Sequence, residues 1–99
     1  MKVKSIIWTQ RALSEYDLLV EYLFDEWGEK ITIEISQSID KYLIRIENSP
    51  KQFPIINREK IIRKCVISKQ TSLFFMVLEN RIVILSLFDN RQNPKNLNL

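Results

Sequence analysis

At 99 residues and 45% hydrophobic, the chain holds enough apolar material for one core and too little for two, so a single domain over 1–99 is expected. One glycine and three prolines exclude a linker or low-complexity segment, and the single cysteine, Cys65, excludes an internal disulfide. Fifteen Lys+Arg against twelve Asp+Glu give a net charge of +3, which suits an acidic partner or nucleic acid without requiring either.

In chain order, "VKSIIW" (Val3 to Trp8) is short, β-branched and apolar, and reads as a strand. Thr9 follows as a helix N-cap, because its hydroxyl can accept a free backbone N–H of the first turn. Ala12, Tyr16, Leu19, Val20, Leu23 and Trp27 then recur at three- and four-residue spacing, which defines an amphipathic helix. Gly28, the one glycine, stops it. A second helical set, Ile31, Ile35, Ile39, Tyr42, Leu43 and Ile46, runs to "NSP", where Pro50 disfavours helix for Ser49. So tight a break predicts an antiparallel helical hairpin.

"KQFPIINRE" has no helical repeat and reads as a loop. Three strand-like runs follow, 60–68, 72–79 and 81–88, the last two separated by Asn80 at a turn. They form a meander. Because the last two runs are almost wholly apolar, both faces of the sheet are expected to be covered, or one meets a partner. The layout is α+β, β-α-α-β-β-β, with 89–99 as a short polar tail and the first strand paired to one of the later three. Charge is uneven along this layout. Ten of the twelve acids lie at or before Glu59, while from Arg58 onward eight Lys/Arg face three acids, which concentrates positive potential in the C-terminal half. Neither a leader-like apolar stretch nor a run of membrane-spanning length is present, and a soluble, cytoplasmic protein is expected.

That order of elements, with "IIWTQRALSEYDLLVEYL", "WG" at the hairpin break, "NSPKQFP" after the second helix, "IIRKCVI" and "RIVILSLFDNRQNP", resembles the RelE/ParE toxin superfamily of bacterial type II toxin–antitoxin pairs. The match spans Ile6 to about Leu97. The resemblance implies one of two activities: ribosome-dependent cleavage of mRNA, as in RelE-like members, or poisoning of DNA gyrase, as in ParE-like members. It also implies a cognate antitoxin that wraps the toxin with an extended segment and a helix.

RNA cleavage through the 2′-hydroxyl needs a base, an acid for the leaving oxygen and cations around the transition state. On the resemblance, Arg63 and Arg91 fall on two of the family's basic positions. The basic position two residues after Arg63 is Cys65, the arginine expected on the next strand is Ser72, and the tail tyrosine falls near Leu97. There is no histidine. Lys64 and Lys69 complete a rearranged set of Arg63, Lys64, Lys69 and Arg91, but an unperturbed lysine, with a pKa of about 10.4, is a poor base at neutral pH.

Plainer readings stand beside these. Arg63 at mid-strand calls for a partner, for instance a salt bridge to Asp89 or a helix glutamate. Lys64 reads as a solvated charge, and Arg91 past the strand end as a surface arginine or a phosphate contact. Trp8, Trp27, Phe74, Phe75 and Phe88 read as core, with Phe74 a docking residue if its strand has an open face. Cys65 reads as buried and inert, and the acids of the first helix as a solvated face, so neither metal nor cofactor is expected. The expectation is a ParE-like gyrase inhibitor that is not itself a hydrolase. It binds an acidic antitoxin segment or its target through Arg63, Lys64, Phe74 and Arg91. The alternatives are an mRNA endonuclease acting at the ribosome and a non-toxic descendant.

Overall fold

In the computed structural model, which describes residues 5–99, strand β1 (Ser5–Trp8) runs through Thr9 into helix α1 (Gln10–Trp27). Val3, the expected start of that strand, lies outside the described residues. Thr9 caps the helix as its sequence predicts, its Oγ1 accepting the Ala12 N–H at 3.1 Å. The same hydroxyl donates to the Leu85 carbonyl at 3.2 Å, which ties the start of the helix to a strand near the end of the chain.

Helix α1 stops at Gly28, whose φ of 86° and ψ of 179° are essentially reserved for glycine. Helix α2 (Glu29–Asn48) follows at once and packs back against α1. It ends at Ser49, one residue before Pro50, where φ of −145° and ψ of 61° lie outside the helical region. Pro50–Gln52 form a 3₁₀ turn and Ile55–Asn57 a short strand, β2, where the sequence pattern predicts only a loop. Three residues are too few to display an alternation. β2 is defined by its partner β3 (Ile62–Val66), with Ile55 opposite Arg63 and Asn57 opposite Ile62 across a bulge.

Strands β4 (Thr71–Leu78) and β5 (Arg81–Asp89) complete a sheet in the order β1-β5-β4-β3-β2. β1 lies parallel to β5, and the other pairs are antiparallel. The α+β layout of strand, helical hairpin and meander is therefore observed, with one strand more than expected.

Both faces of β4 and β5 are covered. On one face Leu73, Phe75, Ile82, Ile84 and Leu87 pack with Ala12, Ile39 and Ile46 of the helices. On the other, Phe74, Phe88 and Ile62 form a smaller cluster closed by Met76, Leu85 and two tail residues, Leu97 and Leu99. The tail is thus part of the core. After a 3₁₀ turn at Pro94–Asn96 it is held by Arg11, which donates to the Asn96 carbonyl at 3.1 Å, and by Lys60, whose Nζ donates to the Leu99 carbonyl oxygen at 3.0 Å.

Three expectations need correction. Trp27 is 61% exposed, not core: the apolar repeat marks a helix face, but at the last residue of α1 nothing covers that face. Phe74, 4% exposed, lies beneath the tail and presents no docking surface in this fold. Glu15 does not belong to a solvated face. Its Oε1 accepts the Ser86 hydroxyl at 2.8 Å and the Leu87 N–H at 3.2 Å, where a bulge in β5 leaves Leu85 without an opposite residue on β4.

Glu15→Ala removes the acceptor from a fully buried hydroxyl and a backbone N–H, and should cost about 1–3 kcal/mol in urea unfolding. Glu21→Ala, on the exposed face, should stay within about 0.5 kcal/mol of the parent. The double variant Leu97→Ser, Leu99→Ser should lose about 1–3 kcal/mol and raise the fluorescence of a hydrophobic dye, because Phe74 and Phe88 lose their cover.

Candidate functional site

The four cations singled out from the sequence reach three different places. Arg63 points to the helix side of the sheet, where its Nη1 donates to the Phe53 carbonyl at 2.7 Å and the Lys51 carbonyl at 3.4 Å. Its partners are backbone oxygens of the turn after α2. The expected carboxylate, on Asp89 or a helix glutamate, is not among them, because the 3₁₀ turn folds its carbonyls over β3 first. Lys64, next along the strand, faces the opposite side, with Nζ 5.9 Å from the centre of the Phe74 ring. Lys69 sits exposed in the β3–β4 turn, its carbonyl accepting from the Asn90 amide at 3.3 Å.

Arg91 stands at the far end of β5. Its Nη2 meets Asp89 Oδ2 at 2.7 Å and its Nε donates to Asp89 Oδ1 at 3.0 Å, while Nη1 donates to the Tyr22 hydroxyl at 2.9 Å. The guanidinium also lies 4.8 Å from the centre of the Tyr22 ring. These bonds favour both ionised forms. The side-chain hydrogen bond from Arg91 holds the Asp89 carboxyl below its ordinary range, against a smaller effect of burial. The bonds to Asp89 and then Tyr22 raise the Arg91 pKa further still. Together with Glu15, Leu18 and Leu87, these residues line a groove of about 220 Å³ between α1 and the end of β5.

Arg63 lines a separate groove of about 720 Å³ between the end of α2 and the β3–β4 edge, shared with Lys51, Ile61 and Val77. Arg45 lies nearby, 5.4 Å from the centre of the Tyr42 ring and 5.8 Å from that of Phe53. Positive charge therefore collects where α2 meets the 3₁₀ turn, a concentration missed in the sequence because Arg45, Lys51 and Arg63 are far apart along it. Tyr22 and Glu15 were missed for a related reason. Each looks like one polar residue among many on an amphipathic helix until the strand it touches is known.

Cys65 and Ser72, where the family resemblance places basic residues, are both closed off. Cys65 is 1% exposed and burial pushes its thiol up to about 11, against a smaller opposing pull from Arg45. It is a protonated thiol at neutral pH. Ser72 is fully buried and its Oγ has no hydrogen-bond partner. Among the described residues no group of three or more Cys, Asp or Glu is placed to hold a metal ion. No helix of the described residues is long and apolar enough to cross a membrane.

No protein-family model matches this chain, and no curated protein matches it significantly. Solved structures do. The chromosomal ParDE TA system from P. aeruginosa aligns with a TM-score of 0.74 at 18% identity, covering 88% of this chain and 96% of that one. A copper-bound mutant toxin from Helicobacter pylori aligns with a TM-score of 0.58 at 20% identity, over 90% and 96% of the two chains. A conserved hypothetical protein from the same organism gives 0.58 at 16% identity, over 91% and 97%. The chain has the α+β fold of RelE/ParE-type proteins, along nearly its whole length.

The Asp89–Arg91 pair gives a signed pH dependence. A carboxyl whose folded pKa is lowered contributes stability that is complete above its ordinary value, about 3.9, and is lost as the pH falls through the lowered value. Arg91→Gln should return the Asp89 pKa, followed by carbon-detected NMR, toward that ordinary value. It should also make unfolding less sensitive to acid in the interval below it.

Proposed function

We propose that this chain is the toxin component of a type II toxin–antitoxin pair, closer to ParE than to RelE in action: a cytoplasmic protein that arrests growth by binding its target, DNA gyrase, and that a cognate antitoxin neutralises. The observation that carries the choice is the dispersal of the basic residues. Arg63 and Lys64 lie on opposite faces of the sheet, Arg91 is engaged by Asp89 and Tyr22 at one end, and Lys69 sits in a turn. Phosphoryl transfer needs cations and a proton carrier converging on one phosphate. Here the positions that would supply the rest are a protonated thiol, an enclosed hydroxyl and an apolar Leu97.

Two further features support a protein-binding role. The hairpin carries large apolar side chains that nothing covers, among them Leu18, Phe24, Trp27 and Ile44, each more than half exposed. Such side chains suit an amphipathic partner helix. The likeness to the chromosomal ParDE TA system from P. aeruginosa points the same way, and gyrase as target follows from the ParE-like resemblance read in the sequence.

Inducible expression in a bacterial host, with incorporation of labelled thymidine and labelled methionine followed in parallel over the first minutes, separates the readings. DNA synthesis is expected to fall first. If protein synthesis falls first, the scattered cations suffice for RNA cleavage at the ribosome and the proposal fails. If neither falls, the fold is retained without toxicity.

A further inference from the structure

Helix α1 carries its charge against its own stability. No lysine or arginine stands between Ala12 and Gly28, where there are five acids. Asp25 and Glu26 lie in the last turn, which holds no basic residue, at the end where the aligned peptide dipoles already gather negative charge. Asp17, Glu21 and Asp25 follow one another at four-residue spacing, so each carboxylate is stacked on a like charge one turn away. All three are exposed, and none has an ion pair or a side-chain hydrogen bond among the described residues. An isolated helix would gain from a cation anywhere along this row.

Beside the acidic row runs an apolar one. Leu13, Val20, Phe24 and Trp27 recur at intervals of seven, four and three residues, which sets them on one stripe about 21 Å long. This stripe is separate from the face that enters the core, which is made by Ala12, Tyr16, Leu19 and Leu23. Phe24 and Trp27 are more than half exposed and Leu13 nearly half, so the fold leaves large apolar groups in water directly alongside unpaired carboxylates.

The charge decides what can cover them. A nucleic acid or an anionic lipid surface is repelled by the carboxylate row. A second copy presenting the same face sets acid against acid. The acidic antitoxin segment expected from the sequence is repelled in the same way. What remains is a protein surface that is apolar and basic together, with the straight shape of a helix four turns long.

We propose that this face of α1 docks a basic amphipathic helix of a partner protein, its apolar side chains resting on Leu13, Val20, Phe24 and Trp27 and its lysines or arginines, four residues apart, meeting Asp17, Glu21 and Asp25. Docking removes the apolar stripe from water and supplies the cations that the helix lacks. The partner is therefore a protein other than the one that brings the acidic segment, and the surface is assigned independently of the toxin reading.

The test uses the full-length chain, labelled with ¹⁵N, and two capped helical peptides of fifteen residues. Both carry leucines at three- and four-residue spacing; one has lysines beside them at four-residue spacing and the other glutamates. The lysine peptide should move the backbone amides from Leu13 to Trp27 and the Trp27 indole N–H, and should bind at least about tenfold more tightly than the glutamate peptide. The triple variant Asp17→Asn, Glu21→Gln, Asp25→Asn should lose about tenfold in affinity for the lysine peptide while its melting temperature stays equal or rises, because the stacked like charges are gone. Phe24→Ser, at an exposed site, should weaken both peptides severalfold with little change in melting temperature. Equal binding of the two peptides, unchanged affinity in the triple variant, shifts centred on the sheet or the tail, or no binding up to about 1 mM would each overturn the proposal. Because the titration reads binding and not growth arrest, its failure leaves the toxin reading standing, and the failure of growth arrest leaves the docking face standing.

Discussion

Strands β4 and β5 are apolar on both faces, and most of this molecule is arranged to cover them. Phe75, Leu73 and Ile84 face the helices, Phe74 and Phe88 face away, and all five are at most 5% exposed. A sheet with only one face buried alternates polar and apolar residues, whereas this one demands two lids. The helical hairpin provides the first. Among the described residues there is no third α-helix to provide the second; the last residues fold back, and Leu97 and Leu99 serve.

The same constraint explains the polar bonds that span the chain. Helix α1 must lie close over β5, and Thr9 and Glu15 fasten it there at the Leu85, Ser86 and Leu87 backbone and hydroxyl groups. A bulge in β5 would otherwise leave the Leu87 N–H without an acceptor in a dry environment. Supplying a carboxylate from the helix satisfies it and fixes the register of helix on sheet.

Charge follows the cover. Cations at the ends and edges of the sheet find whatever the covering elements offer: carbonyls of the 3₁₀ turn for Arg63, a carboxylate and a phenol for Arg91, an aromatic ring for Lys64. Those different partners are why Arg63, Lys64 and Arg91 reach different places. They are also why one arginine is saturated and another is left with donors to spare.

Much of this was legible in the sequence by local rules. The Thr9 cap, the stop at Gly28, the end of α2 before Pro50, the two helical repeats and the three long strand runs each depend on neighbours within a few residues, where side-chain chemistry and backbone sterics act directly. What tertiary structure alone decided was which surfaces meet: β2 as a strand, Glu15 as an internal acceptor, Trp27 left exposed, Leu97 and Leu99 drawn inward, and Arg63 turned to carbonyls and away from Asp89. Each of these is a contact between residues distant in the chain or an absence of one. Periodicity tells which face of an element is apolar, but not where the covering element ends.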